Sequence, residues 1–140
     1  MNDDSPFLDT NVLVYAYSNI IDKKLRSLEL LNYSHCITST QVLSELSNVC
    51  FNKLHYSDNV INGIVKEVMI FCDISIVEEM TILHAISIKG RYGYSYYDSL
   101  ILASALESEC SVLYSEDLQH GQVIEGSLKI VNPFSVATTL

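Results

Sequence analysis

The stretch FLDTNVLVYAY, Phe7 to Tyr17, runs from apolar residues through Asp9-Thr10-Asn11 into a second apolar segment. Read as a strand ending at Asp9 and a helix from Asn11 to Tyr17, it is a strand–turn–helix unit with a carboxylate at the joint. The alternation continues along the chain. Phe7 to Asp9, Cys36 to Thr38, Ile74 to Val77, Val112 to Ser115 and Lys129 to Val131 are predicted strands. Asn11 to Tyr17, Lys24 to Asn32, Gln41 to Leu54, Asp58 to Phe71, Glu79 to Lys89 and Tyr97 to Glu109 are predicted helices. That order is the signature of a βαβ architecture on a mainly parallel sheet of about five strands.

Four acids fall at comparable places in this pattern: Asp9, Glu45 in TQVLSELSNVC, Asp98 in YSYYDSLILASALE and Asp117 in LYSEDLQHG. Asp9 and Asp117 follow strands. Glu45 lies on the polar flank of its helix, beside Gln41, Asn48 and Asn52, and Asp98 lies in a first helical turn on the face of Leu102 and Ala105. Thr38-Ser39-Thr40-Gln41 supplies cap-forming residues and a T-x-x-Q capping pattern at the head of the Glu45 helix. Strand C-termini and adjacent helix N-termini form one crevice in open parallel sheets, so the four acids are expected to meet. Each acid also has an ordinary reading. Asp9 suits a helix N-cap, Asp98 a favourable helix dipole position, Glu45 a helix surface and Asp117 a turn.

A cluster of carboxylates needs compensation. Two of them about 5 Å apart repel by roughly 3 kcal/mol at an effective dielectric of about 20. No Lys or Arg lies within three residues of any of the four. A site of oxygen ligands without Cys or His suits Mg²⁺ or Mn²⁺.

The chain has 140 residues, enough for one domain with its own core. Eight Lys and Arg against seventeen Asp and Glu give a net charge of −9, which argues against broad, unassisted nucleic-acid binding and suits a basic protein partner. Cys36, Cys50, Cys72 and Cys110 form no CxxC pair and are expected to be core residues in a reducing compartment. No signal peptide pattern or membrane-span-length apolar run is present, so a cytoplasmic location is expected. The four histidines lack metal-ligand spacing, and no G-x-S-x-G, GxGxxG or P-loop motif occurs. Lys89, Arg91 and Tyr94 in KGRYGY are candidate substrate contacts through phosphate pairing and base stacking; a helix C-terminus followed by a loop explains them equally well.

These motifs together resemble the PIN-domain ribonucleases, and more narrowly VapC-type toxins of toxin-antitoxin pairs. FLDTNVLVYA resembles the opening D-[ST]-N motif, TQVLSEL the glutamate helix, SYYDSLILASAL the third-acid helix, LYSEDLQHG the last strand and turn, and IVNPF the closing strand. The likeness runs from Phe7 to Phe134. It implies a PIN-like three-layer α/β/α sandwich over residues 1–140. It also implies Asp9, Glu45, Asp98 and Asp117 as catalytic and metal-binding acids, with Thr10, Asn11 and Ser115 in support. Glu116 competes with Asp117 for the fourth position, and Asp117 fits the family pattern better. The implied activity is Mg²⁺- or Mn²⁺-dependent hydrolysis of RNA, leaving 5′-phosphate and 3′-hydroxyl ends. A small basic antitoxin and a second copy of the chain are the implied protein partners, with exposed aromatics of the early helices suited to the pairing. The alternative is an antitoxin-binding or regulatory module with little nuclease activity. A D-x-D phosphatase is disfavoured by Asp9-Thr10-Asn11, and a receiver domain by the absence of the expected Asp and Lys after the third and fifth strands.

Overall fold

A computed structural model describes residues 5–33 and 35–135. In order the elements are β1 (Phe7–Leu8), α1 (Thr10–Ala16), α2 (Ile21–Tyr33), β2 (Cys36–Ser39), α3 (Thr40–Asn52), α4 (Asp58–Phe71), β3 (Cys72–Ser75), α5 (Glu79–Tyr92), α6 (Tyr96–Glu107), β4 (Val112–Tyr114), β5 (Val123–Ile124) and β6 (Leu128–Val131). The strands form one sheet in the order β3-β2-β1-β4-β6-β5, parallel except for β5 against β6.

The chain builds outward from β1 to β2 and β3, then returns to place β4 on the other side of β1. Right-handed crossovers put α1–α4 on one face and α5–α6 on the other. In agreement, α1 packs on α2 and α3, α3 on α4, and α5 on α6. Order reverses between β1 and β4, and the crevice beyond the carboxyl ends of such a pair is where α/β sheets hold ligands. Asp9 follows β1 and Ser115 follows β4.

Two strand expectations are corrected. The sheet has six strands because Val123–Ile124 forms a short hairpin with Leu128–Val131. Its turn is closed by the Ser127 N–H donating to Ile124 O, with Glu125 and Gly126 at φ of 53° and 72°. The third strand lies at Cys72–Ser75, two residues before the apolar run that predicted it. Register decides this: Cys72 to Ser75 pair one-for-one with Cys36 to Ser39, whereas Ile76 falls outside the strand and is 66% exposed. An apolar run marks a strand's neighbourhood; the partner's hydrogen bonds fix its ends.

Serines start three of the helices. Ser39 accepts from Val42 N, Ser57 from Val60 N and Ser95 from Asp98 N, each a cap worth about 1 kcal/mol. The Thr38–Gln41 capping pair does not form. Thr38 Oγ1 donates to Leu8 O at 2.9 Å and ties β2 to β1, leaving Gln41 to the crevice.

Phe7, Leu8, Leu113 and Ile130 of the central strands are fully buried, as is α6 from Ser99 through Ala105. That burial on all sides makes α6 a rigid mount for Asp98. The cysteines are buried and form no disulfide. No helix among the described residues is long and apolar enough to cross a membrane.

Candidate active site

The four predicted acids stand around the crevice at the β1–β4 junction on four elements: the end of β1, α3, the first turn of α6 and the turn after β4. Asp9 ends β1 and caps α1, its Oδ1 accepting from Thr10 N at 2.7 Å. Its Oδ2 accepts from Ser115 Oγ at 2.7 Å, which joins the ends of β1 and β4. Ser115 Oγ in turn accepts from the N–H groups of Asp117 and Leu118 at 3.3 and 3.2 Å, shaping the turn that presents Asp117.

Glu45 reaches in from α3. Its Oε1 accepts from Thr10 Oγ1 at 2.5 Å and its Oε2 from Gln41 Nε2 at 3.0 Å. Asp117 Oδ2 accepts from Asn11 Nδ2 at 2.5 Å. Thr10, Asn11 and Ser115 therefore each hold one of the acids. The Asp98 carboxylate has no hydrogen-bond or ion-pair partner among the described residues. Its helix is capped by Ser95, so the cap role open to Asp98 in the sequence belongs to its neighbour.

Electrostatics link the four. Burial pushes the Asp9 carboxyl up to about 6; the hydrogen bonds from Ser115 and Thr10 oppose the rise, and the charges of Glu45 and Asp98 add to it. Asp117 is also raised, first by burial and then by Glu116 and Asp98, with Lys23 opposing. Asp98 thus acts on acids at the ends of two strands. The crevice is therefore negatively charged.

Glu116 points elsewhere. Tyr15 Oη donates to its Oε1 at 2.6 Å, and Lys23 Nζ forms an ion pair with its Oε2. Burial alone would raise this carboxyl, but the hydrogen bonds from Lys23 and Tyr15 outweigh it and hold it below its ordinary value. Lys23 also lies over the rings of Tyr15 and Phe134, 4.7 and 5.5 Å from their centroids. Between the two candidates for the fourth position, Glu116 is engaged with α1 and α2, and Asp117 faces the other acids.

Sequence reasoning misses two residues. Lys23 is 93 positions from Glu116, so no local pattern could pair them. Gln41 reads in sequence as part of a helix cap, yet its Nε2 bridges Glu45 and Tyr97 O, tying α3 to the residue before Asp98. Its buried Oε1 has no hydrogen-bond partner among the described residues. Spacing holds the signal: Gln41 and Glu45 are one helical turn apart on one face.

The other candidates lie to one side. Lys89 is exposed, Arg91 pairs with Glu125, and Tyr94 Oη donates to Gln122 Oε1 and accepts from Gln119 N, two residues beyond Asp117. His35 pairs with Asp73 and His84 with Glu107, while His120 accepts from Asn132 N. These are structural or surface contacts.

The donor chemistry fits a hard divalent cation: carboxylate oxygens, one of them destabilised by burial, and an orphaned amide oxygen nearby. Their placement is that of side chains tied to protein donors. Among the described residues no three His, Cys, Asp or Glu groups converge as a formed ligand set. Glu45 and Asp117 would have to turn from Thr10 and Asn11 to complete one.

A mainly parallel sheet between two helical layers, with acids at its topological switch point, defines a PIN-like α/β domain. The PIN domain family model matches residues 7–125, and the chain belongs to that family. Similar solved structures share the fold. The toxin-antitoxin complex from Klebsiella pneumoniae matches with a TM-score of 0.70 at 18% identity over 94% of this chain and 100% of that one. The Mycobacterium tuberculosis toxin VapC20, described as cleaving the sarcin-ricin loop, matches with a TM-score of 0.67 at 15% identity over 81% of this chain and 90% of its own. DNA-bound VapBC from Salmonella typhimurium matches with a TM-score of 0.66 at 20% identity, covering 91% of this chain and 96% of that one. No curated protein matches the sequence.

Proposed function

We infer that the protein is a metal-dependent endoribonuclease acting through Asp9, Glu45, Asp98 and Asp117, and the toxin of a toxin-antitoxin pair. The observation that carries the inference is the Asp9 carboxyl, buried where β1 meets β4, raised to about 6 and acted on by Glu45 and Asp98. Bound Mg²⁺ or Mn²⁺ would supply an activated water and neutralise charge on the scissile phosphate. The protein's share is positioning. Ser115 and the Thr10 N–H orient Asp9, Gln41 sets Glu45 against the start of α6, and Ser115 shapes the turn bearing Asp117. Asp98, without a protein partner, needs no rearrangement. No side-chain nucleophile is required.

The acidic surface leaves few phosphate contacts, so binding to naked RNA should be weak with a shallow salt slope. Tyr94 and Arg91, on the flank next to the Asp117 turn, are the proposed contacts, with Lys89 behind them; Arg91 would exchange Glu125 for phosphate. Replacing Lys89 and Arg91 together by Ala should weaken RNA association several-fold and leave turnover at saturation near normal. Unchanged binding in a filter or anisotropy titration removes both from the substrate surface.

The test of activity uses structured RNAs, tRNA among them. EDTA should abolish cleavage, and Mn²⁺ or Mg²⁺ should restore it. Cleavage at full rate in EDTA overturns the mechanism.

A second reading, an antitoxin-binding module with little nuclease activity, has its own support. A cavity of about 270 Å³, lined by Val14, Tyr15, Ser18, Val49, Lys53 and Leu54 among others, reaches Asn11, the partner of Asp117, and the similar structures include toxin-antitoxin complexes. A basic antitoxin segment seated there could set Arg or Lys against Asp117, using charge complementarity in place of metal. Absence of cleavage under every metal condition, with tight binding of the neighbouring gene's product, would favour this reading.

A further inference from the structure

Glu116 and Asp117 leave adjacent positions of one turn, and both reach α1: Asp117 meets Asn11, and Glu116 meets Tyr15, one helical turn further along. Two acids so placed are rivals for one cation. The charge of Glu116 is near enough to raise Asp117, and Lys23 is near enough to oppose the rise. Glutamate carries one more methylene than aspartate, so an untethered Glu116 has the longer reach.

What tethers Glu116 is a clamp from three separate parts of the chain. Lys23 Nζ of α2 forms the ion pair with its Oε2, Tyr15 Oη of α1 donates to its Oε1 at 2.6 Å, and Lys23 Nζ donates to Tyr15 Oη at 3.2 Å, which closes the triangle. Lys23 lies against the rings of Tyr15 and Phe134, which meet edge to face with centroids 5.1 Å apart. One turn on, Arg26 Nε donates to Pro133 O at 2.9 Å and fastens the segment that carries Phe134 to α2. An isolated surface ion pair is weak. This one has both carboxylate oxygens occupied, aromatic faces behind the cation and a Glu116 side chain only 22% exposed. The other acids are held differently. Among the described residues Asp9, Glu45 and Asp117 accept from neutral donors and Asp98 has no partner, whereas Glu116 is neutralised by a cation.

We propose that Lys23 is a positioning residue that decides which of the two adjacent acids serves the site: by pairing with Glu116 it withdraws that carboxylate and leaves the fourth position to Asp117. The inference rests on the reading of Asp9, Glu45, Asp98 and Asp117 as a divalent-cation site, and extends it to a residue with no hydrogen bond or ion pair to any of the four. Packing alone is a different role. Methionine at position 23 would keep an unbranched stem against Tyr15 and Phe134, and only the loss of charge would free Glu116.

Mn²⁺ affinity, measured by calorimetry on the full chain, tests the proposal without recourse to cleavage. In the wild type, Asp117→Asn should weaken Mn²⁺ binding about tenfold. Combined with Lys23→Met, the same change should cost less than about twofold, because the freed Glu116 takes the vacated place. Adding Glu116→Gln to that pair should bring the tenfold penalty back, and Lys23→Arg, which keeps the cation, should retain it. Circular dichroism should be unchanged by Lys23→Met, since the side chain is partly exposed. Cleavage should follow the same logic: Lys23→Met lowers kcat about tenfold with KM for RNA unchanged, and Glu116→Gln restores kcat to within about threefold. An Asp117→Asn penalty that is equal with and without Lys23→Met, or a Lys23→Met defect that Glu116→Gln leaves uncorrected, overturns the proposal and leaves the cation site standing. A wild type that binds no Mn²⁺, or an Asp98→Asn protein that binds it as tightly as wild type, overturns the cation site and the role of Lys23 with it.

Discussion

Asp98→Asn is expected to reduce RNA cleavage to background while leaving the metal-free protein at least as stable as wild type. The carboxylate is partly exposed and has no hydrogen-bond or ion-pair partner among the described residues, and its charge raises both Asp9 and Asp117. Removing that charge relieves repulsion and breaks no contact. The cap of α6 stays intact, because it is Ser95 Oγ that accepts from the Asp98 N–H at 3.2 Å. In metal the order should reverse. At ten times a dissociation constant, binding stabilises the wild type by roughly 1.4 kcal/mol, a few degrees in melting temperature for a domain of this size, and the variant should lose most of that gain. Ser95→Ala is the contrasting change. It should cost about 1 kcal/mol with or without metal and leave cleavage largely intact. Melts with and without Mn²⁺, run with an RNA assay, separate the two roles. A catalytically active Asp98→Asn protein removes this residue from the site.

The second large effect is a pH dependence opposite to that of an ordinary ion-paired acid. Asp9 titrates at about 6 in the folded protein against an ordinary value of 3.8. Below both values the group is protonated in either state and contributes no difference. As pH rises through that window the unfolded chain ionises first, and stability is lost, reaching about 3 kcal/mol above pH 6. The metal-free wild type should therefore weaken relative to Asp9→Asn between pH 4 and 6. The difference between the two proteins is the quantity to follow, since Glu116 and Asp117 titrate in both. Absolute stability is less informative: the amide introduced by Asp9→Asn could accept only one of the two hydrogen bonds that Asp9 takes from Thr10 N and Ser115 Oγ. Saturating Mn²⁺, which selects the ionised carboxylate, should offset the loss, and its stabilising increment should shrink below pH 6. Chemical denaturation across pH 4 to 7 in EDTA decides the matter. A difference that stays flat over this range would show that Asp9 is not desolvated.

The positions of Asp9, Glu45, Asp98 and Asp117 on their elements were legible because they are local properties. A strand that stops at a carboxylate, a polar flank on an amphipathic helix and an acid in a first turn are each written within about ten residues. The order of elements likewise announced a parallel α/β sheet. The β5–β6 hairpin stayed hidden because its strand is two residues long and its turn carries Glu125-Gly126 in place of the Asn-Gly or Asp-Gly that usually marks one. The apolar run at Ile74 to Val77 pointed to the right place for β3 but could not fix its register, which is a property of the pair Cys36–Ser39 and Cys72–Ser75.

The family pattern favours Asp117 over Glu116, but what each of the two side chains touches was beyond any local reading. Their backbones are adjacent, and what separates them is Lys23 and Tyr15 on one side and Asn11 on the other, brought in from about a hundred residues away. The same holds for Gln41, whose partners are a helical neighbour and a carbonyl 56 positions distant. By itself the sequence determined which elements form and which of their ends carry acids, since helix period, caps and strand runs act over one or two turns. Tertiary structure alone decided which acid faces which and which is held by a neighbour, because hydrogen bonds and burial depend on distances that only the folded chain sets.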